Sequence, residues 1–363
     1  MSEAAGKRSL IVWIVSDGKP GHVNQSRGLV EALARTTPTE IHTLRALPAW
    51  RAWLALLLKT GLNPASFAIA SASAFSHEAG GHGGKQSGML ADAATSGSPQ
   101  PFGPRNDEIN QRPPEHAPGS TFPKPDLIVG AGHATHPTLL AARRAHGGRA
   151  VVLMKPSLPR RCFDLCILPR HDGVAADTHT LVTDGALNRV RPATASDANH
   201  GLILVGGASP HFEWDSDALR AQIKRILART PDMQWTLTTS RRTPKDFLAL
   251  LPQHPKLNIV PHTATSPDWL PEQLAQCGTV WVTPDSASMV LEALTAGADV
   301  GVFDLPVNPK SRVGRAIAQL VESQRITRFA NWCANDKLQS NTHPLAEADR
   351  CAEWILEWLK KIN

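Results

Sequence analysis

The chain has 363 residues, with 38 lysines and arginines against 32 aspartates and glutamates, and 42% of its residues are hydrophobic. That length and apolar content suit two domains with ordinary cores. The net charge of +6 favours anionic small molecules or an anionic membrane surface over a dedicated nucleic-acid binder.

Ser9–Val15 (SLIVWIV) reads as a buried strand. It runs into Asp17-Gly18-Lys19-Pro20-Gly21-His22-Val23-Asn24-Gln25 and then a helix through Leu29, Val30 and Leu33. Glycines in a strand-to-helix turn let backbone N–H groups approach a ligand, and a helix N-terminus favours anions. The turn is neither GxGxxG nor a GK[ST] P-loop, and a merely tight βα turn is an alternative. The crowd of Asp17, Lys19, His22, Asn24 and Gln25 at one strand end favours a ligand loop. No long apolar stretch follows the first basic residues, so no signal peptide is expected. Glu40–Leu47 is a second strand. Trp50–Leu62 is an apolar helix with Arg51 and Lys59. It is either a core helix or a surface helix that meets a membrane or a lipid-linked substrate, and its Trp50–Leu58 stretch is too short to span a bilayer.

Ser71–Pro125 is rich in Gly, Ser, Ala, His and Pro, without hydrophobic periodicity. It reads as a disordered insertion within the first domain, and His77, His82 and His116 read as solvated. Strands at Leu127–Gly130, Arg149–Met154 and Phe163–Leu168 follow, with a helix at Leu139–Ala145. This alternation predicts a parallel sheet with right-handed crossovers. Successive strand ends deliver His133, Lys155 and His171 to one edge. Cys162 and Cys166 lack a second pair at metal spacing and read as buried thiols. Five cysteines in all suit a reducing compartment better than a disulfide framework.

His179–Arg191 reads as a connecting segment. Leu202–Val205 restarts the pattern and ends in Gly206-Gly207-Ala208-Ser209. A helix at Asp215–Ala228 follows, then a strand at Gln234–Thr238 ending in Thr239-Ser240-Arg241-Arg242-Thr243-Pro244, then a strand at Leu257–Val260. Paired arginines beside a GGAS turn form a diphosphate clamp, because guanidinium forks match phosphate oxygens bidentately. A solvated basic loop is the plainer alternative.

Thr279–Leu305 is one βαβ crossover: a strand at Thr279–Thr283, a break at Pro284-Asp285-Ser286, a helix over Ser286–Ala296, a stop at Gly297, and a strand over Ala298–Leu305. Asp285 or Ser286 can cap the helix. Ser288 and Glu292 are four apart and share a face near Ser286 and Met289. A glutamate there can accept both hydroxyls of a ribose, although spacing alone is met more simply by a solvated helix glutamate. Ligands of open parallel sheets sit at the carboxyl ends of such strands. The chain ends in a helix, Ala346–Ile362, with Trp354, Ile355, Trp358 and Leu359 on one face, expected to pack back across the domains.

Two Rossmann-like domains, at 1–190 and 191–345, each opened by a Gly-rich turn, resemble the GT-B glycosyltransferases. The peptidoglycan N-acetylglucosaminyltransferase and the lipid-A disaccharide synthase are of this kind. A more specific resemblance is to the elongated-mitochondria fission-factor family and its bacterial relatives. It rests on DGxxGxxNQ (Asp17–Gln25), TSRRTP (Thr239–Pro244) and DSxSMxxEA (Asp285–Ala293), all present in order.

By that resemblance Glu292 holds the donor ribose, and Asp285, Ser286, Ser288 and Met289 line the nucleotide site. Gly206, Gly207, Ser209, Ser240, Arg241 and Arg242 hold the diphosphate. Gly18, Gly21, Asn24, Gln25 and Lys155 lie on the acceptor side. An inverting transferase needs a general base near the acceptor hydroxyl; Asp17, His22 and His133 are the candidates, in that order. No DxD-type metal motif stands at a strand end, so no metal and no cofactor are expected, with arginines and helix dipoles stabilising the departing nucleotide diphosphate.

The resemblance therefore implies a cytoplasmic, metal-independent transferase that uses a nucleotide sugar, placed peripherally at the inner face of the membrane with an envelope-lipid acceptor. The alternative is a non-catalytic GT-B-shaped scaffold acting in membrane organisation. A short-chain epimerase fits poorly, since GxxGxxG after the first strand, YxxxK and tyrosine itself are all missing.

Overall fold

The computed structural model describes residues 8–58, 68–69, 74–75, 122–251 and 253–362. The first sheet is built from β1 (Leu10–Ser16), β2 (Thr39–Arg45), β5 (Leu127–Ala131), β6 (Arg149–Leu153), β7 (Leu165–Pro169) and β8 (Thr180–Thr183), all parallel, in the order β2-β1-β5-β6-β7-β8. Two-residue strands β3 (Ala68–Ile69) and β4 (Ala74–Phe75) pair antiparallel with β2. The second sheet runs β11-β10-β9-β12-β13-β14, all parallel, from β9 (Asp197–Leu204), β10 (Gln234–Thr238), β11 (Leu257–Val260), β12 (Cys277–Val282), β13 (Asp299–Val302) and β14 (Thr327–Arg328).

Both central strands are apolar on successive residues because helices cover both faces of each sheet. In β1, Val12 and Ile14 pack on one side with Leu29 and Leu33 of α1 (Pro20–Thr36), while Trp13 and Val15 pack on the other with Leu139 of α3 (His136–His146). In β9, Leu202 and Leu204 face α6 (Ala287–Ala296) through Val290 and Leu294. Ile203 and, just past the strand, Val205 face Leu219 and Ile223 of α4 (Ser216–Arg229). In each sheet the strand order reverses at the first strand, so β1 lies between β2 and β5, and β9 between β10 and β12. Crevices at carboxyl ends form at such reversals. The turns after β1 and β5, and those after β9 and β12, are therefore the places to look for a site.

Several sequence expectations need correction. The segment 179–191 is not only a connector, since Thr180–Thr183 is the edge strand β8. Within the proposed insertion, Ala74–Phe75 is paired to β2 and residues 122–125 are placed; 71–73 and 76–121 lie outside the described residues. β9 begins at Asp197, and β13 stops at Val302 rather than Leu305. The apolar helix is α2, Ala49–Leu58, with 59–62 outside the described residues. Helices α5 (Trp269–Leu274), α7 (Arg312–Glu322) and α8 (Phe329–Asn335) were not anticipated.

The last helix, α9 (Glu347–Ile362), inserts Cys351, Ile355 and Leu359 into the first core beside Leu29 and Leu33. Trp354 and Trp358 stack 6.0 Å apart at its margin. Arg35 of α1 pairs with Asp349. Burial pushes the Cys166 thiol up to about 12; Cys162 is half-buried.

Candidate active site at the domain seam

The turn after β1 is assembled locally. Gly18 has φ +77, a conformation glycine adopts without strain. Asp17 Oδ1 accepts from the Lys19 amide at 3.1 Å, an Asx turn, and Pro20 opens α1 with the fixed φ of a first helical residue. The other carboxylate oxygen, Oδ2, meets His22 Nδ1 at 2.9 Å, with Lys19 Nζ 3.9 Å away. A carboxylate only accepts, so the proton sits on Nδ1, and Nε2 is left as the basic nitrogen. The ring lies against Gly132, the residue after β5. A Cβ there would collide with the imidazole, and the φ of +83 also demands glycine.

Asp17 and His22 thus form an orienting pair, with the Asp17 side chain 6% exposed and His22 18%. The sequence ranked Asp17 first as base. In the structure its carboxylate is engaged by the His22 ring and the Lys19 amide, while His22 Nε2 accepts no hydrogen bond among the described residues. His133 is exposed beside them, and Lys155 and His171 are exposed at the ends of β6 and β7. Gln25 donates to the Met154 sulfur at 3.4 Å, tying α1 to the end of β6. Gly21 has open space around its Cα.

In the second domain, the three polar strand ends knit into one unit. Gly206 N donates to Thr283 Oγ1 at 2.7 Å, and Gly207 N to Asp285 Oδ2 at 3.1 Å. Ser240 and Thr243 hydroxyls both donate to the Gly206 carbonyl, the former at 2.9 Å. Arg242 pairs with the same Asp285 oxygen at 2.8 Å and donates to the carbonyls of Gly207 and Ala208. Neither glycine has room for a side chain: a Cβ on Gly206 would strike the Asp285 carboxylate, and one on Gly207 the Arg242 backbone.

The arginine pair expected to clamp a diphosphate is therefore partly engaged within the protein. Arg242 holds the turn, and Arg241, exposed, is the cation of the pair for which no internal partner is found among the described residues. Asp285 and Ser286 do not cap α6 through their side chains; Asp285 serves the glycine turn instead. Ser209 Oγ accepts from the His211 amide. Ser286 is buried, Ser288 is exposed and Met289 packs at the margin of the second core.

Glu292 departs most from its solvated alternative. It is 9% exposed, and burial pushes its carboxyl up to about 7, opposed by a hydrogen bond from Asn24 Nδ2 to Oε1 at 2.6 Å. That bond crosses the seam. Beside it, Asn188 donates to Thr295 of α6 at 3.0 Å, and Arg189 grips Glu31 of α1 and Asp268. Gly28 of α1 sits so close to the Asn188 carbonyl that no side chain fits. Asn24 stands two residues after His22, so one helical turn carries both the imidazole and the partner of Glu292.

A cavity of about 580 Å³ opens beside the glycine turn, lined by Ala208, Ser209, Trp214 and Asn308. Another of about 660 Å³ lies between the domains, with Arg170, His171 and Asp184 on one wall and Leu291, Ile317 and Leu320 on the other. Both are of the size that holds small-molecule ligands. Among the described residues, no group of three or more His, Cys, Asp or Glu is arranged to hold a metal.

The description "Mitochondrial fission ELM1" matches residues 20–359, nearly the whole chain. The chain belongs to the mitochondrial fission ELM1 family. A relative from Rickettsia prowazekii (strain Madrid E), the uncharacterized protein RP120, is 25% identical over 291 residues, which cover 66% of this chain and 81% of that one. Among solved structures, a Listeria monocytogenes protein assigned as a UDP-N-acetylglucosamine 2-epimerase superposes with a TM-score of 0.55 at 11% identity, covering 97% of this chain and 96% of its own. MurG of Acinetobacter baumannii gives 0.46 at 14% identity, covering 98% of this chain and all of its own. The calicheamicin glycosyltransferase CalG4 gives 0.47 at 14% identity, covering 98% and 99%. The paired parallel sheets are the GT-B architecture expected from the sequence.

In this family member the three sequence motifs are physically joined. DGxxGxxNQ supplies Asp17, His22 and Asn24; DSxSMxxEA supplies Asp285 and Glu292; TSRRTP supplies Arg242. Sequence reasoning missed Thr283, Gly132 and the Asn188–Arg189 connector. Thr283 and Gly132 carry a local signal, a small or hydroxylic residue just past a buried strand. The connector carries none.

Proposed function

We propose that this chain is a GT-B-type glycosyltransferase that binds a nucleotide diphosphate sugar on its second domain. The observation that carries the reading is the meeting, across the seam, of an oriented Asp17–His22 pair with a buried Glu292 at the reversal points of two parallel sheets. A diphosphate lies beside Arg241, Ser209 and the α6 N-terminus, with the ribose at Glu292. The name of the Listeria structure, a UDP-sugar epimerase, agrees with a nucleotide-sugar ligand.

In the transfer, the acceptor hydroxyl oxygen attacks the anomeric carbon and its proton passes to His22 Nε2. The bond from that carbon to the β-phosphate oxygen breaks, and the nucleoside diphosphate leaves with the bonding pair. Asp17 stabilises the imidazolium. Arg241 and the helix dipole stabilise the departing charge without a metal.

The acceptor is an amphiphile presented at a membrane surface. Trp50, Trp53, Leu54 and Leu57 are exposed along one face of α2 with Arg51 beside Trp50, the composition of an interfacial helix. Among the described residues no helix is long and apolar enough to cross a membrane.

The test is thermal unfolding with a panel of nucleoside diphosphates and nucleotide sugars, on wild type and Glu292→Ala. A ligand at about 100 times its dissociation constant adds roughly 2.7 kcal/mol. A shift with one nucleotide, lost in Glu292→Ala, supports the donor site. No shift with any member favours the scaffold reading, for which one observation speaks: Glu292 and Arg242 already have internal partners.

A further inference from the structure

We infer that Asn24 is an internal competitor for the ligand of Glu292, an autoinhibitory contact that keeps the empty donor site shut. The inference rests on the nucleotide reading above and adds its regulation. Glu292 accepts one hydrogen bond among the described residues, from Asn24 to Oε1, and the residue is only 9% exposed. A ribose diol engages a carboxylate through two hydroxyl donors, one to each oxygen, and the donor aimed at Oε1 competes there with the Asn24 amide.

The helix that carries Asn24 is not free to withdraw. One turn on, Gly28 abuts the Asn188 carbonyl, and the next turn is held by the Glu31–Arg189 pair at 2.8 Å. What can move is the half-buried Asn24 side chain itself, about its two side-chain torsions. A neutral amide suits that role. It satisfies a buried carboxylate that would otherwise be costly, yet it lacks the charge that would make a lysine or arginine hard to displace. Asn24 lies on the same helical turn as His22, so its release occurs beside the acceptor-side base, coupling donor arrival to the place where the acceptor hydroxyl loses its proton.

The experiment uses the full chain as wild type, Asn24→Ala, Asn24→Leu and Glu292→Ala, titrated calorimetrically with UDP, GDP, ADP and TDP. Two Asn24 variants guard against one that folds poorly, and each is first checked for a cooperative melt. The expected result is that one nucleotide binds both Asn24 variants roughly tenfold tighter than wild type, and does not bind Glu292→Ala. Binding to wild type that is unchanged or weakened in both Asn24 variants overturns the inference and leaves the nucleotide reading standing. Binding to neither wild type nor any variant overturns the nucleotide reading, and the competitor role falls with it. Binding only after Asn24 is replaced is the strongest support.

Discussion

Replacing Glu292 by glutamine should convert a pH-dependent protein into a flatter one. The amide keeps the side chain's shape and offers Asn24 the same acceptor oxygen, so packing is preserved. In the fold, burial raises the carboxyl from an ordinary 4.5 to about 7, with the Asn24 bond opposing. In the unfolded chain it titrates at its ordinary value. Between those two values the folded protein holds a proton that the unfolded chain has released, so stability falls as pH rises through that window. At about 1.4 kcal/mol per pH unit, the loss reaches about 3 kcal/mol above the upper value. Glu292→Gln has no proton to lose. It should be more stable than wild type by about 3 kcal/mol near pH 8, and the advantage should vanish toward pH 4. Urea unfolding followed by tryptophan fluorescence, with Trp281 buried in the second core, measures both proteins across the range. Parallel profiles, with one constant difference at every pH, would refute the reasoning, because the difference would then owe nothing to ionisation.

The arginine pair should split. Arg242→Ala strands the Asp285 carboxylate, whose side chain is 1% exposed; loss of one partner of a buried pair costs about 3–5 kcal/mol, and the half-exposed guanidinium reduces this to about 2. Arg241→Ala should change stability by less than about 0.5 kcal/mol and weaken nucleotide binding instead; thermal melts with and without nucleotide separate the two, and equal destabilisation would count against the assignment. His22→Ala should lower nucleoside-diphosphate release from the bound nucleotide sugar by about 10²–10⁴-fold while leaving nucleotide affinity in place; a fall in affinity alone would make His22 a binding group. Gly132→Ala should displace the His22 ring and, at a positive φ, cost about 1–3 kcal/mol. The displaced imidazole should react faster with diethyl pyrocarbonate, and unchanged reactivity would show that the ring does not depend on Gly132.

Much of the architecture was legible locally. Runs such as Leu10–Val15 and Leu202–Val205 are short, apolar on successive residues and bounded by polar turns, the pattern of a strand covered on both sides. Gly297, with φ +89, marks the end of α6 as a helix-stop glycine does. The site motifs were legible as polar clusters just past such strands. Thr180–Thr183 escaped because an edge strand of four residues carries too little periodicity to register.

What the sequence by itself determined is the secondary-structure alternation, the family, and the set of polar turns from which a site is made. Each depends on residues close together in the chain. Tertiary structure alone decided the contacts within that set. Asp17 meets an imidazole, whose ring lies against the glycine that follows β5. Arg242 is engaged within the protein, because a carboxylate from a turn 43 residues away lies buried within its reach. Glu292 became a buried, proton-retaining group rather than a solvated one, because a helix 268 residues earlier covers it with an amide. Desolvation and pairing depend on what the fold brings alongside a side chain, and no spacing along the chain encodes that.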